Sequence, residues 1–278
     1  MEAVIKKELQ ITAQKVRMGI IEGVHSAKSG HPGGSLSCAD ILTYLYFKEM
    51  NIDPENPKMP ERDRFVLSKG HAAPVLYSVL ATRGFFDIEL LKTLRKPDSI
   101  LQGHPDMKYI PGVDMYSGSL GQGISAAVGM ALSAKHFGNN FKVYTILGDG
   151  ECEEGQVWEA AMFAANKGLS NLTAFVDYNN LQIDGTIEEV NSAAPFDKKF
   201  EAFGWHTITI NGHDFDEIEK AIEEAKTIDK PVAIIAKTVK GKGVSYMENN
   251  VSWHGAAPND ELFAQAMEEL ESKLAELN

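Results

Sequence analysis

Thr145-Ile146-Leu147-Gly148-Asp149-Gly150-Glu151-Cys152-Glu153-Glu154-Gly155 runs from apolar, β-branched residues straight into glycines and carboxylates. Further along, Phe175-Val176-Asp177-Tyr178-Asn179-Asn180 repeats the pattern and ends in amides. An apolar run that stops abruptly in small or amide residues is how a buried parallel strand ends where a ligand must approach. Two such ends face one crevice, and in an open α/β sheet ligands bind in the crevice beyond the carboxyl ends of the strands. Asp149, between two glycines, offers a hard carboxylate oxygen, and Asn179 a neutral amide oxygen. That pairing suits magnesium or calcium.

The glycines do not make a dinucleotide site. The fingerprint G-x-G-x-x-G would need its third glycine at 153, where the chain has Glu153. A bare pyrophosphate would also meet Asp149, Glu151, Glu153 and Glu154, and their repulsion exceeds what a helix N-terminus supplies. A divalent cation between carboxylate and phosphate reverses that sign, so the stretch reads as a metal-bridged diphosphate site.

Outward from this centre, Lys142–Leu147 and Leu172–Asp177 are expected as parallel strands joined by a helix from Gly155 to Lys167. Arg64–Ser68, His206–Ile210 and Val232–Thr238 read as further strands. Helices are expected at Val4–Ala27, Ser37–Met50, Ala72–Thr82, Asp87–Arg95 with an Asp cap, Leu120–Phe137, Phe215–Thr227 and Asp260–Leu277. The glycines and alanines of the Leu120–Phe137 helix imply close packing, because each exposed glycine would destabilise a helix by about 1 kcal/mol. Gly118 and Leu120 at its mouth are placed for backbone contacts to a ligand. Lys96–Tyr116 and Tyr178–Pro195 are long and irregular, which in a compact domain points to function or mobility. Histidines sit at loops and strand ends: His31 inside Ser29-Gly30-His31-Pro32-Gly33, His71 after the first strand, His104 in a loop, His254 in Trp253-His254-Gly255. Lys240-Gly241-Lys242-Gly243 lacks the Walker spacing and reads as a solvated turn near the site.

Composition sets outer bounds. The 278 residues are 44% hydrophobic and 24% charged, ordinary for one large globular domain over 1–278. A net charge of -12 and a pI near 5.2 disfavour nucleic acid and anionic membranes as partners. No apolar run approaches the roughly 20 residues that span a bilayer. Without a signal-peptide pattern the expected location is cytoplasmic. Cys38 and Cys152 are far apart, and are expected to be packing residues in a reducing compartment.

Gly148-Asp149-Gly150 followed by Asn179-Asn180 resembles the thiamine diphosphate motif of transketolase-like enzymes. Ser29-Gly30-His31-Pro32-Gly33, Ser68-Lys69-Gly70-His71, Gly103-His104-Pro105, Gly118-Ser119-Leu120-Gly121-Gln122-Gly123 and Trp253-His254-Gly255 are similar to transketolase segments and come in the family's order. Most of all the chain resembles the N-terminal subunit of a split transketolase. That resemblance implies an α/β thiamine diphosphate-binding fold, a mostly parallel sheet with helices on both faces. It implies transfer of a two-carbon ketol unit between sugar phosphates, with Mg2+ (or Ca2+ or Mn2+) held by Asp149, Asn179 and the Leu181 carbonyl. The implied cofactor contacts are His71, Gly118, Ser119, Leu120, Gly150, Glu154, Asn179, Ile183 and His254. His31, His104 and His254 would be catalytic, with His31 and His254 assisting removal of the C3 hydroxyl proton, and Glu154 would lie at a subunit boundary. The glutamate and aromatic pocket for the aminopyrimidine ring belong to a second domain. A partner chain with the pyrimidine and C-terminal domains is therefore expected, in an α2β2 assembly. Ser119 stands where full-length members often have proline. Alternatives are a subunit specialised for a branched or sulfonated sugar, half of a deoxyxylulose phosphate synthase, a 2-oxoacid dehydrogenase α subunit, or a non-catalytic cofactor binder.

Overall fold

A computed structural model describes residues 1–278. Five strands, β1 (Arg64–Leu67), β2 (Val143–Gly148), β3 (Leu172–Tyr178), β4 (His206–Asn211) and β5 (Val232–Lys237), form one parallel sheet in the order β1-β2-β3-β5-β4. The inner strands are buried along nearly their whole length, as their near-continuous apolar runs require of a sheet covered on both faces. Side chains alternate across the pleat, so every strand but the edge strand β4 feeds two cores. Tyr144, Ile146, Phe175 and Ile234 enter the larger one, and Val143, Leu147, Val176 and Ile235 the smaller.

Ten helices surround the sheet: α1 (Ala3–Ala27), α2 (Pro32–Ser37), α3 (Ala39–Tyr44), α4 (Ala73–Arg83), α5 (Gln122–Phe137), α6 (Gly155–Asn166), α7 (Ile187–Val190), α8 (Phe196–Ala202), α9 (Phe215–Thr227) and α10 (Asp260–Leu277). The first core holds residues of α1, α3, α4, α9 and α10, and the second holds residues of α5, α6 and α8. Gly84, at φ 95, ends α4 in the left-handed conformation that its sequence position suggests.

Several boundaries differ from expectation. The helix expected at Ser37–Met50 begins earlier, at Pro32, breaks at Cys38 and ends in a π turn over Leu45–Glu49. Pro32 is compatible with the first turn of a helix because its missing N–H has no partner there. Asp87 caps a 3-10 segment, Ile88–Thr93, instead of an α-helix. α5 starts at Gln122, so Leu120 lies in the turn before it. Close packing accounts for Gly123, where a Cβ would lie 2.5 Å from the Ser68 backbone, but not for Gly129, which faces open space. The segment Tyr178–Pro195 contains α7, opened by a Thr186–Glu189 capping box, and α8 follows unforeseen. Both cysteines are buried and unpaired.

Candidate active site

Four strand ends converge on one crevice. β1 stops at Leu67, and Ser68-Lys69 leads into the Gly70–Ala72 turn that carries His71. β2 stops at Gly148, and Asp149 opens a single 3-10 turn. Asn179 follows β3, and Thr238 and Lys240 follow β5. Between them is a cavity of about 120 Å3 whose walls include Lys69, His71, Asp149, Asn179, Lys240 and His254.

Asp177, at the end of β3, is fully buried and fully answered. Lys69 Nζ lies 2.6 Å from its Oδ2, Ser37 and Thr238 donate hydroxyls to it, and Asn179 Nδ2 donates at 3.0 Å. Burial alone would raise this carboxyl, but Lys69 outweighs burial and holds it below the usual range. Lys69 in turn is held above the ordinary lysine range, because Asp177 overcomes the desolvation that opposes its charge. Because the Asn179 nitrogen must face a carboxylate, its orientation is fixed. Its Oδ1 accepts one bond, from Leu181 N at 3.1 Å, and keeps a free lone pair.

Asp149 lies at the adjacent strand end and has no cation. Its oxygens accept from Gly150 N at 2.8 Å and Asn180 N at 2.6 Å, the latter aimed by the left-handed backbone of Asn180 at φ 65. Burial, then the charge of Asp177, pushes Asp149 up to about 7. Leu181 O accepts from Lys240 Nζ at 2.7 Å and retains a second lone pair. A carboxylate short of positive charge, an amide oxygen and a carbonyl oxygen are the hard donors that magnesium prefers. The chain's donor set therefore fits a metal-bridged diphosphate.

Three of the four histidines come together. His31 and His71 have ring centroids 5.2 Å apart, His71 and His254 5.2 Å, and His31 and His254 5.6 Å. Burial, then neighbouring positive charge, keeps them neutral: with Arg95 it brings His31 down to about 4, and with Lys240 it brings His254 to about 3. His71, desolvated beside Lys69, is held well below the ordinary value. Lys240 Nζ lies 2.9 Å from His254 Nδ1, so a protonated lysine fixes the imidazole proton on Nε2. His31 Nδ1 is buried and has no partner.

His104 lies apart, exposed in its loop. Its ring packs on Gly118, where a Cβ would come within 3.1 Å and where φ is 154, so both space and backbone demand glycine. Leu120 and Ile183, 38% and 68% exposed, line the cavity rim with Gly150. Gly118, Ser119 and Glu154 do not reach the cavity. Glu154 is exposed at the start of α6, where its Cβ packs on Gly121. Glu151 lines the cavity instead, buried and held by Ser68 Oγ and by Gly121 N and Gly148 N at 2.9 Å each. Its charge is thus partly taken up by the chain, which weakens the repulsion that the sequence suggests.

Lys240 requires a correction. It does not lie in a solvated turn: it is 2% exposed and its ammonium points at Leu181 O and His254. Burial lowers it to about 8, although Asp149 resists that shift. Sequence reasoning does not single out Lys69, Asp177, Glu151 or Lys240 as functional residues. Asp177 does carry a signal, a charge inside an otherwise apolar strand.

Residues 8–275 match the family described as transketolase, thiamine diphosphate binding domain. The chain is 49% identical to a 6-deoxy-6-sulfo-D-fructose transketolase subunit of Clostridium sp. (strain MSTE9), over 96% of this chain and 97% of that one. It is 43% identical to an apulose-4-phosphate transketolase subunit of Phocaeicola vulgatus, covering 97% and 96%. The crystal structure of transketolase from Campylobacter jejuni superposes with a TM-score of 0.90 at 36% identity. The chain spans just under half of that longer chain, 46%, while being covered completely itself. With the family matched over nearly the whole chain, this protein belongs to the transketolase family and carries its thiamine diphosphate binding domain.

Proposed function

We propose that this chain is the diphosphate-binding half of a two-chain transketolase. It would work with a separate subunit bearing the pyrimidine-binding and C-terminal domains, in an α2β2 assembly, and move a two-carbon ketol unit from a ketose phosphate to an aldose phosphate. The observation that carries this reading is the meeting of Asp149 and Asn179, at adjacent strand ends, with three neutral histidines brought there from separate segments. Asp149, Asn179 Oδ1 and Leu181 O would hold magnesium, whose charge would offset that of the diphosphate. His71, Gly150 and the lysines would hold the diphosphate, and Leu120 and Ile183 would lie against the thiazolium. Bound there, thiamine diphosphate supplies a carbon nucleophile able to accept and return the two-carbon unit.

The chain's own residues would act on the sugar. His254, with its proton on Nε2, would present a donor to the donor sugar's C2 oxygen, which gains negative charge when its carbonyl carbon is attacked. His31 would receive the C3 hydroxyl proton, and its neutrality leaves a lone pair free to do so. His104 would bond hydroxyls near C2 of the donor. Glu154 would sit at the boundary between assembled copies, which accords with its exposure. A sulfonated or branched sugar is the second reading, favoured because relatives matched nearly end to end are named for 6-deoxy-6-sulfo-D-fructose and apulose-4-phosphate.

The test is titration of thiamine diphosphate with Mg2+ into the assembled enzyme, followed by a ketol-transfer assay. His31→Ala and His254→Ala should lower turnover far more than cofactor affinity. Equal loss of both would remove the assigned roles. A thiamine-dependent rate from this chain alone would refute the need for a partner.

A further inference from the structure

Lys240 sits on a turn whose backbone is tied by Lys242 N to Val239 O at 3.2 Å, Gly241 N to Gly33 O at 3.0 Å and Asn249 N to Lys240 O at 2.9 Å. β5 ends at Lys237, and Gly241 and Gly243 take φ 78 and φ 98. Glycine-rich backbone of this kind has many alternative conformations. Its side-chain anchors on the other side are a buried set of charges bordering a second cavity of about 420 Å3. Arg17 of α1 pairs with Asp40 of α3 through both arms, Nη1 to Oδ1 at 3.0 Å and Nη2 to Oδ2 at 2.6 Å. Asp40 Oδ2 lies 2.8 Å from His213 Nδ1. Burial opposes the charge on Asp40, but Arg17 and His213 bring it down to about 2, so it is anionic.

The two ends of this set grip the backbone on either side of Lys240. Val239 N donates to His213 Nε2 at 2.9 Å, and Arg17 Nε donates to Lys242 O at 3.1 Å. A backbone N–H can only donate, so His213 Nε2 must be the acceptor and its proton must sit on Nδ1, facing Asp40. Lys240, held between the two grips, reaches Leu181 O and His254 Nδ1. A buried ion pair is weak evidence for stability alone. A set whose free ends all meet one turn is better explained by what that turn carries.

We infer that Arg17, Asp40 and His213 are positioning residues that hold the Val239–Lys242 turn, and through Lys240 fix the tautomer of His254. The inference rests on the proposed active site only for its consequence in catalysis; the geometric part stands on the isolated chain.

Two near-isosteric variants separate positioning from mere packing. His213→Gln places an amide oxygen near Nε2 and keeps the acceptor for Val239. His213→Asn places an amide nitrogen near Nδ1, keeping the donor to Asp40 but abandoning Val239. Nitrogen NMR of histidine-labelled chain near neutral pH reads the His254 ring, assigned with His254→Gln. The wild type and His213→Gln should show one tautomer, with the proton on Nε2, and His213→Asn should show both. If His213→Asn does not fold, Arg17→Lys, which keeps charge beside Asp40 but loses the fork to Lys242 O, should give the same mixture. In the assembled enzyme, turnover should fall roughly tenfold in His213→Asn and recover in His213→Gln. An unmoved His254 in His213→Asn and Arg17→Lys, or the reverse order of the two His213 variants, overturns the inference. A shifted tautomer in an assembly without ketol transfer would support positioning while refuting the proposed function.

Discussion

Asp149 and Asp177 end neighbouring strands, are both buried, and have opposite electrostatic fates. Asp177 has Lys69, two hydroxyls and an amide, and is held ionised. Asp149 has two backbone amides and no cation, and is pushed up to about 7. Burial acts alike on both, so the difference comes from partners. One carboxylate is finished by the chain itself, and the other is left for something the chain does not supply. The two carboxylates are thus told apart here by their unmet charge, because location and burial are shared.

The largest effect should come from breaking the finished one. Lys69→Met leaves Asp177 buried with hydroxyl and amide donors only, and should destabilise the fold by about 3–5 kcal/mol. Asp177→Asn added to it should recover part of that loss, read by denaturant unfolding of both single variants and the double. If Lys69→Met alone is neutral, Asp177 is not held by charge.

Asp149→Asn should behave in the opposite way. Asp149 has a folded value of about 7 against 3.8 unfolded, so the folded state holds an extra proton between those limits. Its contribution is fully present below 3.8 and is lost as pH rises toward 7. Asp177, with a lowered value, contributes stability above 3.8 that is lost as pH falls through its folded value. Thermal melts from acid to neutral pH should therefore show the wild type losing stability relative to Asp149→Asn, on the order of a few kcal/mol. Adding Mg2+ with thiamine diphosphate should remove that penalty in the wild type and do little for the variant. A parallel pair of pH curves would mean that Asp149 is already compensated.

The same contrast marks what the sequence could reveal. Gly148-Asp149-Gly150 and Asn179 are legible because each ends an apolar run, and run length with chain order predicts a parallel sheet with a crevice at its carboxyl ends. His31, His71 and His254 are legible as loop histidines, but their meeting depends on four strand ends brought side by side. Lys240 is misleading in the sequence because a Lys-Gly-Lys-Gly string looks solvated. Contacts from distant parts of the chain, Gly33, Asn249, Arg17 and His213 among them, make it a buried turn. Glu151 and Glu154 are three positions apart in one acidic cluster, yet one is buried and one exposed, a distinction that turns on where the 3-10 turn of residues 150–153 gives way to α6.

The histidines test the comparison at its smallest scale. His31 and His254 are half-buried and, like Asp149, have no counter-charge, but they escape the cost by staying neutral near neutral pH. Their values of about 4 and about 3 lie below the 6.5 of an unfolded histidine. Stability they contribute is therefore present above 6.5 and lost as pH falls toward those values. Above pH 6.5 neither should titrate, and His31→Gln should change stability by about 1 kcal/mol or less, with a larger loss in His254→Gln, which takes a partner from buried Lys240. Proton NMR of the ring C2–H groups checks the first point: neither ring should show the shift of a histidine taking up a proton between pH 6 and 7 in the isolated chain, below the range in which Lys240 loses its own. Inorganic pyrophosphate with Mg2+ should then move His71 and His254 upward, since phosphate charge offsets Lys69 and Lys240, while His104, out in its loop, should move least. If His104 moves most, the diphosphate lies nearer the exposed loop than the strand ends, and Asp149 loses its place as the unfinished carboxylate of the pair.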